Sequence, residues 1–411
     1  MTPRRILLVS YFYPPGRDTG ALRPAAMAKY LRRLGHEVEV LTTSAFGDDG
    51  DPTTHRTRDA QLWRARRAGR DRVDALFDAD TYGGRPHPLS RVIVPEPLAL
   101  AWAPFARSRA LAANRGRSFD CVVTTSPPES THAVGMALHR RGVPWVADVR
   151  DAWTFEPLRP RFPTGAQRAA DRWLERRWLG AADVVVCVSE PAAADLRERG
   201  IADPLVIANG WDPEAAPDAP SGGPDLLDAD RTSLLYTGRF GSYGRHPAPL
   251  VEAIRRLARD DPAAAGRLEL VVAGPLTSAE ARLLTGDVAP ARIVLAGSLP
   301  REQALALQRQ ADALLLIAQP TRSQLLNIKL FEYMASGTPI LALAAGTEAG
   351  RVAGELGAEV VRADDPAAIA GALAMLAAGA PAPPPREALE PYTYPGPAKR
   401  LAEAVEKAIG S

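Results

Sequence analysis

Short runs of apolar residues alternate with stretches in which apolar residues recur at helical spacing, and this rhythm holds along almost the whole chain. In the first half, RILLVSYF, EVEVLTT, DCVVTTS, PWVADV, DVVVCVS and PLVIA read as strands, rich in β-branched residues and bounded by turn formers. Helical spacing fills the intervals around residues 21–35, 129–141, 163–181 and 190–200. The rhythm starts again with SLLYTG, LELVVAG, RIVLAGS, ALLLIAQ, PILALA and AEVVRA, separated by helical patterns near 247–259, 300–310, 327–336, 347–355 and 366–378. Strands that are apolar throughout belong to parallel sheets covered by helices on both faces. The expected fold class is therefore α/β, with two doubly wound Rossmann-like domains.

Between the halves, NGWDPEAAPDAPSGGPDLLDADRTS is too rich in Pro, Gly and Asp to be core and reads as a linker. The expected division is a first domain over 1–208, the linker over 209–231, a second domain over 232–385 and a C-terminal segment over 386–411. In that last segment the Pro-rich AGAPAPPPREALEP runs into a helix from about Pro397 to Ile409, expected to pack back on the N-terminal domain. Residues 46–118 fit the alternation poorly and read as an insertion. HRTRDAQLWRARRAGRDRV is strongly basic, and PEPLALAWAPFARSRALAA mixes apolar residues and arginine at roughly helical spacing. Two readings stay open: a solvated helical insertion, or an interfacial helix drawn to anionic lipid through the basic region 55–72, where each cation adds about 1 kcal/mol near the surface.

Composition narrows the function. A chain of 411 residues, 46% hydrophobic and 24% charged, can build two cores, and its net charge of +2 gives no global field to recruit nucleic acid. Cys121 and Cys187 each lie in an apolar strand-like run, with neither disulfide nor metal spacing, which fits a reducing, cytoplasmic compartment. The start, MTPRRILLVSYFYPP, reads as a first strand rather than a signal peptide, and no run is apolar and long enough to span a membrane. The histidines lack metal-ligand spacing, so no metal and no cofactor are expected.

Ligands of open parallel sheets bind beyond the carboxyl ends of the strands, and unusual residues collect there. After the first strand, Gly16 and Gly20 bracket a turn that opens a helix, either to bring backbone N–H groups to an anion or simply to turn the chain. After PWVADV come Arg150, Asp151 and Trp153, with Asp151 able to orient or deprotonate a hydroxyl or to serve only as a cap or ion-pair partner. In TGRFGSYGR, Arg239 and Arg245 lie on a loop with Gly238, Gly241 and Gly244, a fork suited to phosphate oxygens. In QLLNIKLFEYMASGTPIL, Asn327 is an expected N-cap and Glu332 is an acid among Leu330, Phe331, Tyr333 and Met334. A carboxylate there needs a partner, either Lys329 one turn earlier or a ligand.

YPPGRDTGALRPAAMAKYLRRLGHEVEVLTT, NGWDPE, TGRFGSYGR and KLFEYMASGTPIL, in this order, resemble the family 4 retaining glycosyltransferases of the GT-B fold, whose two Rossmann-like domains face each other across a cleft. The resemblance implies a nucleotide-diphosphate sugar donor held mainly by the second domain and a small-molecule, lipid-linked or saccharide acceptor held by the first. Arg239, and Arg245 where the family usually has lysine, would neutralise the departing diphosphate. Glu332 matches the second acid of the family's glutamate pair, which accepts hydrogen bonds from the ribose hydroxyls. The first acid is replaced by Gln324 and the usual EGFG loop by QLLN, so Gln324 would bond a sugar hydroxyl and Asn327 would replace a loop glycine. Gly16, Gly20, Gly238, Ile328 and Lys329 complete the implied donor site, Arg150 and Trp153 the acceptor side, and Asp151 the catalytic set. The implied mechanism is front-face attack with retention, the leaving phosphate helping to remove the acceptor proton. A related protein that binds sugar nucleotides without transferring them is the alternative that Gln324 raises.

Overall fold

The computed structural model describes residues 2–16, 19–60, 92–151, 153–154, 162–201, 203–214, 225–240, 246–318, 328–383 and 385–411. The chain forms two compact units, Met1–Asn209 with Tyr394–Ser411, and Gly210–Thr393.

The first unit is built on a seven-stranded parallel sheet of β1 (Arg5–Ser10), β2 (Glu37–Thr43), β3 (Thr54–Thr57), β4 (Cys121–Ser126), β5 (Trp145–Val149), β6 (Val184–Cys187) and β7 (Leu205–Val206), in the order β3-β2-β1-β4-β5-β6-β7. Successive side chains of a strand point to opposite faces, and here both faces are buried. Leu7 and Val9 of β1 enter one core with Ala106, Val134, Leu138, Leu179 and Leu196, while Ile6 and Leu8 enter the other with Met27, Leu31, Leu401 and Val405. The first core is covered by α2 (Ala103–Gly116), α3 (Thr131–His139), α4 (Gly165–Leu179) and α5 (Glu190–Glu198), the second by α1 (Leu22–Arg33) and the closing helix α11 (Gly396–Ile409). This two-sided burial is why the strands read as continuous apolar runs.

Within 46–118 the described residues pack into this unit. Trp102 at the N-cap of α2, with Ala106 and Ala110 on successive turns, puts one stripe of side chains into the core. β3 is the outermost strand and its THRT sequence gives no apolar signal. It carries polar residues because an edge needs no double burial: His55 lies 2.6 Å from Glu39, and Arg56 pairs with Asp48 at 3.2 Å and Asp49 at 2.7 Å.

The second unit holds a six-stranded parallel sheet of β8 (Thr232–Thr237), β9 (Leu268–Ala273), β10 (Arg292–Gly297), β11 (Ala313–Ile317), β12 (Ile340–Leu343) and β13 (Glu359–Val361), ordered β10-β9-β8-β11-β12-β13. Its helices include α6 (Ala248–Asp260), α7 (Arg301–Gln310), α8 (Ile328–Ser336), α9 (Glu348–Glu355) and α10 (Pro366–Ala378). Leu250, Ile254 and Leu257 of α6 and Ile369 and Leu373 of α10 pack with Leu234, Leu270 and Leu315 of the sheet. The strand order reverses direction between β1 and β4 in one sheet and between β8 and β11 in the other. Such switch points open a crevice at the carboxyl ends of the two strands.

Candidate functional site

In the second unit, β8 ends at Thr237 and the chain turns at Gly238, whose φ of +119° belongs to the region that favours glycine. A Cβ at Gly238 would lie 1.6 Å from Nζ of Lys329, and a Cβ at Gly274, just past β9, would lie 2.0 Å from the Gly238 carbonyl oxygen. The two glycines therefore let the ends of β8 and β9 close up against the first turn of α8, with the lysine ammonium laid over the turn. Lys329 Nζ donates to the Thr237 carbonyl and stands 5.5 Å from the centre of the Tyr236 ring, a cation–π distance. The Tyr236 hydroxyl donates to the carbonyl of Arg239 at 2.7 Å, fixing the backbone of the residue that follows the turn.

Lys329, Glu332 and Tyr333 fall on one face of α8, three and four residues apart. Tyr333 is buried and its hydroxyl meets the Thr237 N–H and hydroxyl, each at 3.1 Å, and burial raises its pKa above the ordinary phenol value. Gln308 of α7 donates to the Thr237 hydroxyl at 3.0 Å. Thr237 is thus the point at which β8, α7 and α8 are tied together. Glu332 forms its ion pair with Arg301 of α7, 2.8 Å away, rather than with its neighbour Lys329, whose ammonium is turned to the β8 carbonyl. The Glu332 side chain keeps 14% of its surface exposed and that of Arg301 keeps 45%.

The structure thus gathers Gly238, Arg239, Lys329 and Glu332 at the carboxyl end of β8. Ile328 opens α8, and Arg245, Gln324 and Asn327 lie outside the described residues. Thr237, Gln308, Tyr333 and Arg301 were not picked out from sequence. Tyr333 and Thr237 carried a signal, as polar residues in apolar runs. Arg301 and Gln308 carried none, because only the fold brings α7 to the site.

In the first unit the charged residues past the strands have a different fate. Asp148 of β5 and Arg23 of α1 form a buried pair with contacts of 2.9 and 3.1 Å, the Thr125 hydroxyl adding a third at 2.8 Å and Arg23 also donating to the Ala208 carbonyl at 2.9 Å. Burial alone would push the Asp148 pKa up, but the charge and hydrogen bonds of Arg23 outweigh it and hold the carboxyl below its ordinary value. Arg150 is buried as well, and its guanidinium donates to the carbonyls of Ser126, Pro127 and Gly20. It braces two loops.

Trp153 is packed in the same region. It is 1% exposed, its indole N–H donates to Asp171 at 3.0 Å, and its ring lies over His132 at 6.1 Å, so it is core. Gly16 turns the chain and donates to the Tyr13 carbonyl at 3.1 Å, and a Cβ there would crowd the Phe46 ring at 3.0 Å. Its N–H is spent on that turn. Gly20 offers its carbonyl to Arg150. Asp151 follows the end of β5 and is exposed.

Of the basic region 55–72, residues 61–72 lie outside the described residues; His55 and Arg56 are paired as above, and Arg58 lies over the Phe105 ring at 5.8 Å. Cys121 and Cys187 are buried, and burial pushes the Cys187 thiol up to about 12, which leaves it protonated and inert. Among the described residues no group of His, Cys, Asp and Glu is arranged to hold a metal ion, and no helix is long and apolar enough to cross a membrane.

Residues 20–210 match the glycosyl transferase 4-like domain, and residues 231–378 match glycosyl transferases group 1. Comparison with curated protein sequences gives no match. Among solved structures, sucrose-phosphate synthase from Thermosynechococcus elongatus superposes with a TM-score of 0.64 at 18% identity, covering 99% of each chain. The UDP-forming α,α-trehalose-phosphate synthase from Burkholderia vietnamiensis gives 0.60 at 15% identity, again over 99% of each chain. UDP-GlcNAc 2-epimerase from Neisseria meningitidis, in a structure bound to UDP-GlcNAc, gives 0.53 at 14% identity over 98% of this chain and 100% of that one. At these identities the likeness carries the fold, which synthases and an epimerase share, and the class of chemistry rests on the two domain matches. Together those matches take in most of the chain and make it a glycosyltransferase of the GT-B architecture.

Proposed function

We propose that the protein transfers a sugar from a nucleotide-diphosphate donor to an acceptor hydroxyl with retention of anomeric configuration, in the building of a glycoconjugate, polysaccharide or natural product. The observation that carries this reading is the cluster at the end of β8, where a partly exposed lysine and arginine flank a glycine turn and a partly exposed carboxylate lies one helical turn along α8. Two cations beside accessible backbone suit a diphosphate, and a carboxylate suits a vicinal diol because its oxygens accept both protons.

In this reading Arg239, Lys329 and Arg245 stabilise the charge that grows on the leaving diphosphate, a preorganised electrostatic contribution of several kcal/mol. Glu332 receives the ribose hydroxyls. The departing phosphate takes up the acceptor proton on the same face of the sugar, so no covalent enzyme intermediate forms. On the acceptor side Asp151, the exposed acid beyond β5, orients the incoming hydroxyl, and Arg150 contributes by holding the Gly20 and Ser126–Pro127 loops around it.

Incubation with UDP-, GDP-, ADP- and TDP-sugars, with and without acceptors, tests transfer through release of free nucleoside diphosphate. Proton NMR of the product then reads the new anomeric linkage. A product of inverted configuration overturns retention, and binding without release under any acceptor overturns transfer. Arg239→Ala and Glu332→Ala are each expected to weaken donor binding at least tenfold, at about 1.5–3 kcal/mol for a charge-assisted bond. Titrations matching the wild type would remove the site assignment.

A further inference from the structure

The ion pair between Arg301 and Glu332 goes beyond what the proposed site requires. Arg301 opens α7 and Gln308 lies two turns on along the same helix, so one face of α7 reaches two points of the site: Glu332 on α8 through Arg301, and Thr237 at the end of β8 through Gln308. The contact with Glu332 is one-sided. Nη1 of Arg301 is 2.8 Å from Oε1, which leaves Oε2 and part of Oε1 to accept other protons. Glutamate is among the side chains that lose most rotamer freedom when fixed, so a ligand meeting a loose carboxylate must order it on binding. A carboxylate already held avoids that cost, which is how preorganisation raises affinity.

We infer that Arg301 is a positioning residue for the donor: it holds the Glu332 carboxylate in the orientation that receives the vicinal diol of a ribonucleotide, and so sets the discrimination between ribo and 2′-deoxyribo donors. This rests on the reading of Glu332 as the ribose acceptor. Arg301 itself needs no contact with the donor. Since it is 45% exposed and such pairs add little to stability, its removal leaves the fold in place. A lysine can restore a single contact of this kind as a point charge, although it cannot make the planar fork of arginine.

The test is binding of matched pairs, UDP with 2′-deoxy-UDP, GDP with 2′-deoxy-GDP and ADP with 2′-deoxy-ADP, to the full chain and to Arg301→Ala, Arg301→Lys, Glu332→Ala and the double variant Arg301→Ala/Glu332→Ala. For the pair the wild type prefers, loss of the 2′-hydroxyl is expected to cost about tenfold or more. In Arg301→Ala the ratio falls to about threefold or less with the melting temperature unchanged, Arg301→Lys restores most of it, and the double variant is no worse than Glu332→Ala. A ratio in Arg301→Ala equal to wild type, while Glu332→Ala abolishes it, overturns the role of Arg301 alone. A ratio untouched by Glu332→Ala overturns the ribose reading beneath it.

Discussion

An arginine just past the end of a strand means different things in the two sheets. Arg150 follows β5 and is 7% exposed, spending its guanidinium on three backbone carbonyls, whereas Arg239, two residues past β8, stays partly exposed behind a glycine turn. Strand periodicity accounts for the first. Trp145, Ala147 and Val149 point into one core, so Asp148 and Arg150 share the opposite face, where Arg23 and the loop at Gly20 already lie. In the second sheet the turn at Gly238 breaks that alternation before Arg239, and Tyr236 fixes the arginine by its carbonyl rather than by its side chain. The first unit thus spends Arg150 on holding loops, and the second leaves Arg239 partly exposed.

The sharpest way to break this comparison is to remove a brace. Arg23→Ala leaves Asp148 buried without its main counter-charge, and breaking a buried pair from one side costs about 3–5 kcal/mol. Urea unfolding should show that loss in full. A change below about 1 kcal/mol would mean that the pair is solvated in solution and that the first unit is no more closed than the second.

His132 offers a second handle on the same buried region. Its Nδ1 meets the Thr124 hydroxyl at 2.8 Å, its Nε2 has no hydrogen-bond partner among the described residues, and burial pushes the imidazole down to about 3. The unfolded chain binds a proton there near pH 6.5 and the folded chain does not, so stability falls as pH drops from about 6.5 toward 3. Between pH 7 and 4 this one group is expected to remove about 3 kcal/mol, at roughly 1.4 kcal/mol per pH unit. His132→Phe should flatten that part of the stability profile whatever it does to the level, and an unchanged slope would show that the imidazole is hydrated.

How much was legible follows from the same contrast. The two-sheet α/β architecture was readable because every central strand is buried on both faces, as in RILLVS and LELVVA. β3 was not, since THRT is an edge strand whose residues are chosen for ion pairs. In the candidate site the oddity of Glu332 was visible, but its partner Arg301 was not, because β11 separates α7 from α8 in the chain and only the fold brings the two helices together. The burial of Arg150 and Trp153 was not readable for a related reason: residue type after a strand says that a polar or aromatic group is present, and only packing says which way it faces.

On the exposed side of the comparison, Lys329→Ala removes the ammonium laid over Gly238. Nucleoside diphosphate binding is expected to weaken about 10- to 100-fold and to become less salt-dependent, with little change in unfolding because Tyr333 and Gln308 still hold Thr237. Unchanged affinity and salt dependence would reduce the lysine to a brace, like Arg150.

The smallest effect separates packing from contact with an acceptor. Trp153→Phe keeps an aromatic ring against His132 and Trp178 but gives up the indole N–H bond to Asp171. A single hydrogen bond contributes about 1 kcal/mol net, so a loss of that order in urea unfolding is expected. Acceptor KM should not move, because the ring is 1% exposed and no acceptor can touch it without prior opening of the core. A change in KM at unchanged stability would place Trp153 at the acceptor and show that this region opens when substrate binds.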